Sequence, residues 1–247
     1  MPNSAAALRL SLFGGIDLRG SPAAERVLVQ PKTVGLLAYL AVEGGGARGR
    51  RFQRRDLLAA LLWPELDQAH ARAALRKAVF HVRDVLGAQL LLSRGDEELA
   101  LDHDALWCDA VAFGDAIERG ELLAALELYR GDLMPGFHLP ECDAFGRWLD
   151  DRRGELRGEA AAASWALAQR FEAGQQLTDA GRWARQAVRY SRDDERVLRR
   201  AMTMLHRVGD RAGALRLYEE FARRLRTELE AEPSAETQSL VSEMRRG

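Results

Sequence analysis

The sequence predicts a mainly α protein in two parts: an α+β domain over residues 1–106 and an all-α domain over residues 107–247. Three observations carry this expectation. Strand-like alternation and turn signals are confined to the first part. Within it, two helical patterns separated by a short proline-containing break, the second longer than the first, lead into a hairpin pattern. Beyond Trp107, Ala, Leu, Arg and Glu dominate, and hydrophobic positions recur 34 residues apart.

The elements follow in order. Leu8–Phe13 alternates apolar and polar residues before Gly14-Gly15 breaks it, and Ile16–Leu18 and Arg26–Val29 read as further short strands. Pro31 suits the first turn of a helix, and Val34, Leu37, Ala38, Leu40 and Ala41 keep helical spacing up to Gly44-Gly45-Gly46. That glycine triplet lacks the Lys-Ser/Thr of a phosphate loop and reads as a connection. A helix is expected from about Gln53 to Trp63, stopped by Pro64, because proline disfavours the helical conformation in the residue before it. Asp67 is a suitable N-cap for a longer helix from Gln68 to Leu86, ended by Gly87. Leu90–Ser93, the Gly95-Asp96 turn and Leu99–Leu101 complete a hairpin. Strands, helix, helix, turn, longer helix and hairpin is the element order of a winged helix-turn-helix.

In the second part, helices are expected near 109–119, 122–130, 143–171, 178–191, 194–208 and 211–229, with one more after Pro233. Ala180, Ala184 and Ala187 share their spacing with Ala214, Tyr218 and Phe221, 34 residues on. Leu167 and Phe171 precede Ala201 and Leu205 by the same interval. Small residues let antiparallel helices approach closely, so the period predicts a tetratricopeptide-like array. Two degenerate copies alone do not separate such an array from a generic helical bundle.

Composition sets the class. Hydrophobic residues make up 47% and charged residues 30% of the chain, a globular balance with no apolar run long enough to cross a membrane. Met1–Phe13 lacks a basic leader and Arg9 interrupts its apolar run, so no signal peptide is read and a cytoplasmic location is expected. Cys108 and Cys142 lie too far apart in sequence for a C-x-x-C metal site and are expected to be free buried thiols. The net charge of −1 conceals an asymmetry: residues 48–94 hold ten Arg or Lys against four Asp or Glu. A basic segment in a nearly neutral chain is the electrostatic footprint of a nucleic-acid contact, although a solvated helix face gives the same signal.

The helix from Gln68 to Leu86 locates that contact. Ala71, Leu75, Ala78, Val79, Val82 and Leu86 define one buried stripe. At about 100° per residue, Ala73, Lys77, Phe80 and Asp84 then point most directly outward, with Ala69, His70, Arg76 and His81 beside them and Arg72 and Arg83 flanking. Small residues permit close approach to a groove, and Arg or Lys read guanine edges or hold phosphates. The candidate DNA-contact residues are therefore His70, Arg72, Ala73, Arg76, Lys77, His81 and Arg83 in the groove. Arg48, Arg50, Arg51, Arg54 and the hairpin residue Arg94 are assigned to the backbone.

A family resemblance adds to this reading. Leu57-Leu58-Ala59-Ala60-Leu61-Leu62-Trp63-Pro64 and Ala71-Arg72-Ala73-Ala74-Leu75-Arg76-Lys77-Ala78-Val79-Phe80-His81-Val82-Arg83 resemble the winged-helix signature of the Streptomyces antibiotic regulatory protein family. The segment Ala125–Phe137, the segment Gly209–Tyr218 and the closing Glu232-Pro233-Ser234-Ala235-Glu236-Thr237 are similar to the bacterial transcriptional activator domain that follows in that family. The resemblance spans nearly the whole chain in order. It implies activators that bind direct repeats in promoter DNA, two protomers on paired half-sites, and recruit RNA polymerase through the sigma factor and neighbouring subunits. No cofactor and no enzymatic activity are expected. Phe80 and Asp84 depart from the polar or basic residues the family commonly carries there, which puts the C-terminal end of the helix in question as a DNA contact.

Other features point to no chemistry. Asp102-His103-Asp104 cannot converge on one ion from an extended chain and is read as an exposed interdomain linker. Trp165 and Trp183 sit at core spacing, and His138 and Cys142 fall in a loop. Two competing classes stand beside the regulator. One is an interaction scaffold whose winged helix does not bind DNA; the other is an enzyme with a scattered site, for which no motif is present.

Overall fold

The computed structural model describes residues 8–45 and 51–246. The chain falls into two compact units, residues 1–154 and 155–247.

In the first unit, β1 (Leu8–Ser11) buries Leu8 and Leu10 and exposes Arg9, as its alternation requires. It pairs antiparallel with β2 (Asp17–Arg19). Residues 26–29 are not a strand: α1 (Glu25–Leu28) takes their place. Of the two valines that would have shared one strand face, Val27 is fully buried and Val29 is 75% exposed. Four residues are too few to separate period two from one helical turn, and Ala23-Ala24-Glu25 upstream favours the helix.

α2 (Pro31–Gly44) starts on its proline as expected and buries Leu36, Leu37, Leu40 and Ala41. At Gly35 an added Cβ would lie 3.1 Å from Leu139 and 3.3 Å from Leu62, so this turn needs the missing side chain. β3 (Gln53–Arg54) takes the first two residues expected in a helix, leaving α3 (Arg55–Leu62). Then α4 (Gln68–Leu86) begins where Asp67 accepts the His70 N–H at 3.0 Å, and it ends at Gly87, whose φ of +113° suits only glycine. β4 (Leu91–Arg94) and β5 (Glu98–Leu101) form the expected hairpin, and β3 adds to the β5 edge.

β6 (Leu106–Cys108) lies where no strand signal is legible. It runs parallel to β1, with Leu106 and Cys108 buried, so the first sheet has the order β2-β1-β6. Three residues carry too little alternation to be read, and a parallel partner nearly a hundred residues away is supplied only by the fold. Residues 102–105 accordingly form a turn between β5 and β6 inside this unit, where the Asp102 carboxylate accepts the Asp104 N–H at 3.1 Å. This replaces the linker expected at Asp102-His103-Asp104.

α5 (Asp109–Glu118) and α6 (Leu122–Leu128) close the unit over the first sheet. Asp109, buried, accepts the Leu12 N–H at 2.8 Å and the Phe13 N–H at 3.1 Å. Phe13, Phe113 and Tyr129 pack with ring centroids 4.9–5.6 Å apart. The first turns of α7 (Asp143–Ala173) lie against α2, where Trp148 Nε1 (2.7 Å) and Arg152 Nε (2.8 Å) both donate to Glu43. The packing unit thus runs to residue 154, past the position 106 at which the sequence pattern changes.

The second unit holds the end of α7 with α8 (Leu177–Tyr190), α9 (Glu195–Arg207), α10 (Arg211–Leu229) and α11 (Ala235–Arg246). α9 packs against α8, α10 and α11. The 34-residue register is a packing register: Leu167, Ala180, Ala184, Ala187, Ala201, Leu205, Ala214 and Phe221 are all buried. Trp165 and Trp183 pack on this core, as expected.

Candidate nucleic-acid interface

The site is built on α4. Its buried stripe of Ala71, Leu75, Ala78, Val79 and Val82 fixes the rotation of the helix, and Val85 and Leu86 extend it. Ala69, His70, Arg76, Lys77, Phe80 and Asp84 are exposed, while Ala73, His81, Arg72 and Arg83 are half-buried. The outward arc computed from the sequence is therefore the solvent face.

The predicted cations divide by what they already hold. Among the described residues, Arg76 and Lys77 make no hydrogen bond or ion pair. Arg72 instead grips Asp56 of α3, Nε to Oδ1 at 2.5 Å and Nη2 to Oδ2 at 2.8 Å. Arg83 donates from Nη2 to the Leu91 carbonyl at 2.6 Å and to Ser93 Oγ at 3.0 Å, joining α4 to the first strand of the hairpin. His81 Nε2 lies 3.0 Å from the Arg26 carbonyl and 3.2 Å from Gln30, and His70 Nδ1 lies 2.7 Å from Asp67. Asp84 is 3.5 Å from Arg26, which offsets part of its charge.

On the hairpin, Glu98 stands opposite both Arg94 and Arg54 across the strands and accepts a hydrogen bond from Arg94. Arg94 also lies over the Phe52 ring, 4.5 Å from its centroid. Arg51 and Arg54 are exposed. Arg48 and Arg50 lie outside the described residues.

Sequence reasoning missed Arg55. It opens α3 and reaches into a cleft of about 650 Å³ between α4 and the hairpin, walled also by Arg72, Arg76, Phe80 and Arg83. Its Nη2 donates to Ser93 Oγ at 2.9 Å, while its Nε is buried without an acceptor. Burial first, and the neighbouring Arg83 second, push its pKa below the usual arginine value. Four guanidinium groups, those of Arg55, Arg72, Arg76 and Arg83, line the cleft together with the carboxylates of Asp96 and Glu97. The only signal in the sequence was its place in the Arg54-Arg55 pair, which does not distinguish the inward arginine from the outward one.

Among the described residues no cluster of side chains could hold a metal ion, and no helix is long and apolar enough to cross a membrane. Cys108 and Cys142 are buried and free, as expected. A short helix, a longer helix with an outward cationic arc and a hairpin beside it, followed by helical repeats, define a winged helix-turn-helix transcriptional regulator. The bacterial transcriptional activator domain matches residues 96–245, more than half of the chain, and the chain belongs to that family, in the order of parts seen in the Streptomyces antibiotic regulatory proteins. A solved structure described as Mycobacterium tuberculosis EmbR in complex with low affinity phosphopeptide is similar in fold, with a TM-score of 0.62 at 20% identity. The likeness covers 97% of this chain and 65% of that one, so this chain spans just under two thirds of its length. No curated protein sequence matches the chain.

Proposed function

We propose that this regulator binds duplex DNA sequence-specifically through α4 and activates transcription from promoters with direct repeats. The observation that carries the reading is the pair Arg76 and Lys77: exposed, unpaired, and seated mid-helix on the arc opposite the buried stripe. A cation that stabilises the fold finds a carboxylate or a carbonyl, as Arg72 and Arg83 do; these two are left for a partner rich in negative charge.

The roles divide accordingly. Arg76 and Lys77 enter the major groove with Ala73 allowing close approach, and His70 and His81 lie at the margins of the contact. Arg72 and Arg83 act by fixing α4 against α3 and the hairpin. Arg51, Arg54 and Arg94, with Arg48 and Arg50, attract the phosphate backbone. Residues 1–106 serve as the DNA-binding domain and 107–247 as the activator domain, which links two protomers on paired half-sites and contacts RNA polymerase, through its sigma factor and neighbouring subunits. Linking them raises occupancy through effective concentration. No catalytic step and no cofactor enters this function.

Binding of the full chain to a duplex selected from a random library, measured from about 50 to 200 mM salt, tests the reading. Log affinity should fall linearly with log salt. A flat dependence, or equal affinity for unrelated duplexes, overturns it in favour of a protein-docking scaffold.

A further inference from the structure

The fold covers its aromatic side chains at least in part, with one exception among the described residues: Phe80, 72% exposed at the centre of the outward arc of α4. A ring left in water at that position forgoes the burial every other one receives. Its neighbours sharpen the anomaly. Arg76 and Lys77 precede it by one turn, and Arg83 follows three residues on. Asp84, which would repel an anion, is held near Arg26 at 3.5 Å. The surface is thus cationic around an apolar centre, and it suits a partner that is anionic overall yet presents an apolar group at the point of closest approach.

The major groove offers one such group on its base edges, the C5-methyl of thymine; every other edge there presents hydrogen-bond donors or acceptors that a phenyl ring leaves unsatisfied. Resting on the DNA-binding reading above, we propose that Phe80 is a specificity-determining residue that selects thymine in each half-site by covering its 5-methyl group. Arg76 and Lys77, one turn earlier on the same face, set the depth of α4 in the groove and bring the ring onto the base edge.

The test uses the full chain and the duplex it selects from a random library. Each thymine is replaced in turn by uracil, which removes only the methyl group. At one thymine of each half-site the replacement should weaken binding about fourfold, the worth of one buried methyl. Phe80→Ala should bind the thymine and uracil duplexes alike, with an unchanged salt slope and an unchanged melting temperature, and Phe80→Leu should keep part of the difference. Wild-type chain that binds with a salt slope but ignores every uracil replacement overturns this inference alone. So does a methyl effect that survives in Phe80→Ala. A chain that selects no duplex and shows no salt dependence overturns the DNA-binding reading, and this one with it.

Discussion

Arg72 on α4 holds Asp56 on α3 through two parallel hydrogen bonds, Nε to Oδ1 and Nη2 to Oδ2. An arginine on the flank of the outward arc is thereby committed to the angle between α3 and α4. The pair separates two roles that the sequence alone merges. If Arg72 touched DNA, Asp56→Ala would free it and remove a repelling carboxylate, raising affinity. A positioning role predicts that Asp56→Ala and Arg72→Ala both weaken binding, with the double variant no worse than either single one. Calorimetric affinities for the three variants decide between them.

The same pair predicts a pH dependence. The hydrogen bonds from Arg72 hold the Asp56 carboxyl below its usual range. A depressed folded pKa contributes stability that is present above the unfolded carboxylate value and is lost as pH falls through the folded one. Acid titration of the melting temperature should therefore show a shallower decline below about pH 4 in Asp56→Asn than in the wild type.

Arg76→Ala should cost roughly 1 to 3 kcal/mol of binding and relax preference at one base pair, as loss of a guanine contact does. Lys77→Ala should instead weaken all duplexes alike and flatten the salt slope by about one unit. Unchanged affinity in both variants would remove α4 from the interface.

Asp109 joins the first sheet to α5 by accepting two buried backbone N–H groups. Asp109→Ala leaves both without an acceptor, at a cost of roughly 1 to 3 kcal/mol for each. Burial raises the carboxyl's pKa above its usual range, so its protonated form is favoured by the fold. That contribution is fully present below the unfolded value and is lost as pH rises through the folded one, opposite in sign to Asp56. Because Trp107 and Cys108 of β6 and Asp109 lie beyond residue 106, the fragment 1–106 should melt at a lower temperature than 1–154. Equal melting would show that these contacts add nothing to the α+β domain.

Cys108 is buried, and its thiol pKa is pushed up to about 12. Neither it nor Cys142 should react with iodoacetamide in the native state, and both should react after denaturation. In the second unit, Ala184→Leu inserts volume into a site with no exposed surface and should destabilise by about 1 to 3 kcal/mol. Phe221→Ala opens a cavity there worth about 3 to 5 kcal/mol. Thermal melting of the two variants tests whether the repeat register is a packing register.

The sequence by itself determined what depends on local spacing. Asp67 and Gly87 fixed the ends of α4, the apolar stripe through Leu75 and Val82 fixed its rotation, and Arg76 and Lys77 could be placed outward from those facts alone. The 34-residue recurrence likewise placed the buried alanines of α8 and α10. Tertiary structure decided whatever depends on a partner distant in the chain. β6 exists because β1 lies beside it, and residues 26–28 became helical because only Val27 found a core to enter. Arg72 and Arg83 carry the same guanidinium as Arg76, yet they are taken by Asp56 and the Leu91 carbonyl. A charge pattern records the supply of cations; which of them are left over for a ligand depends on the acceptors that folding brings within hydrogen-bond reach.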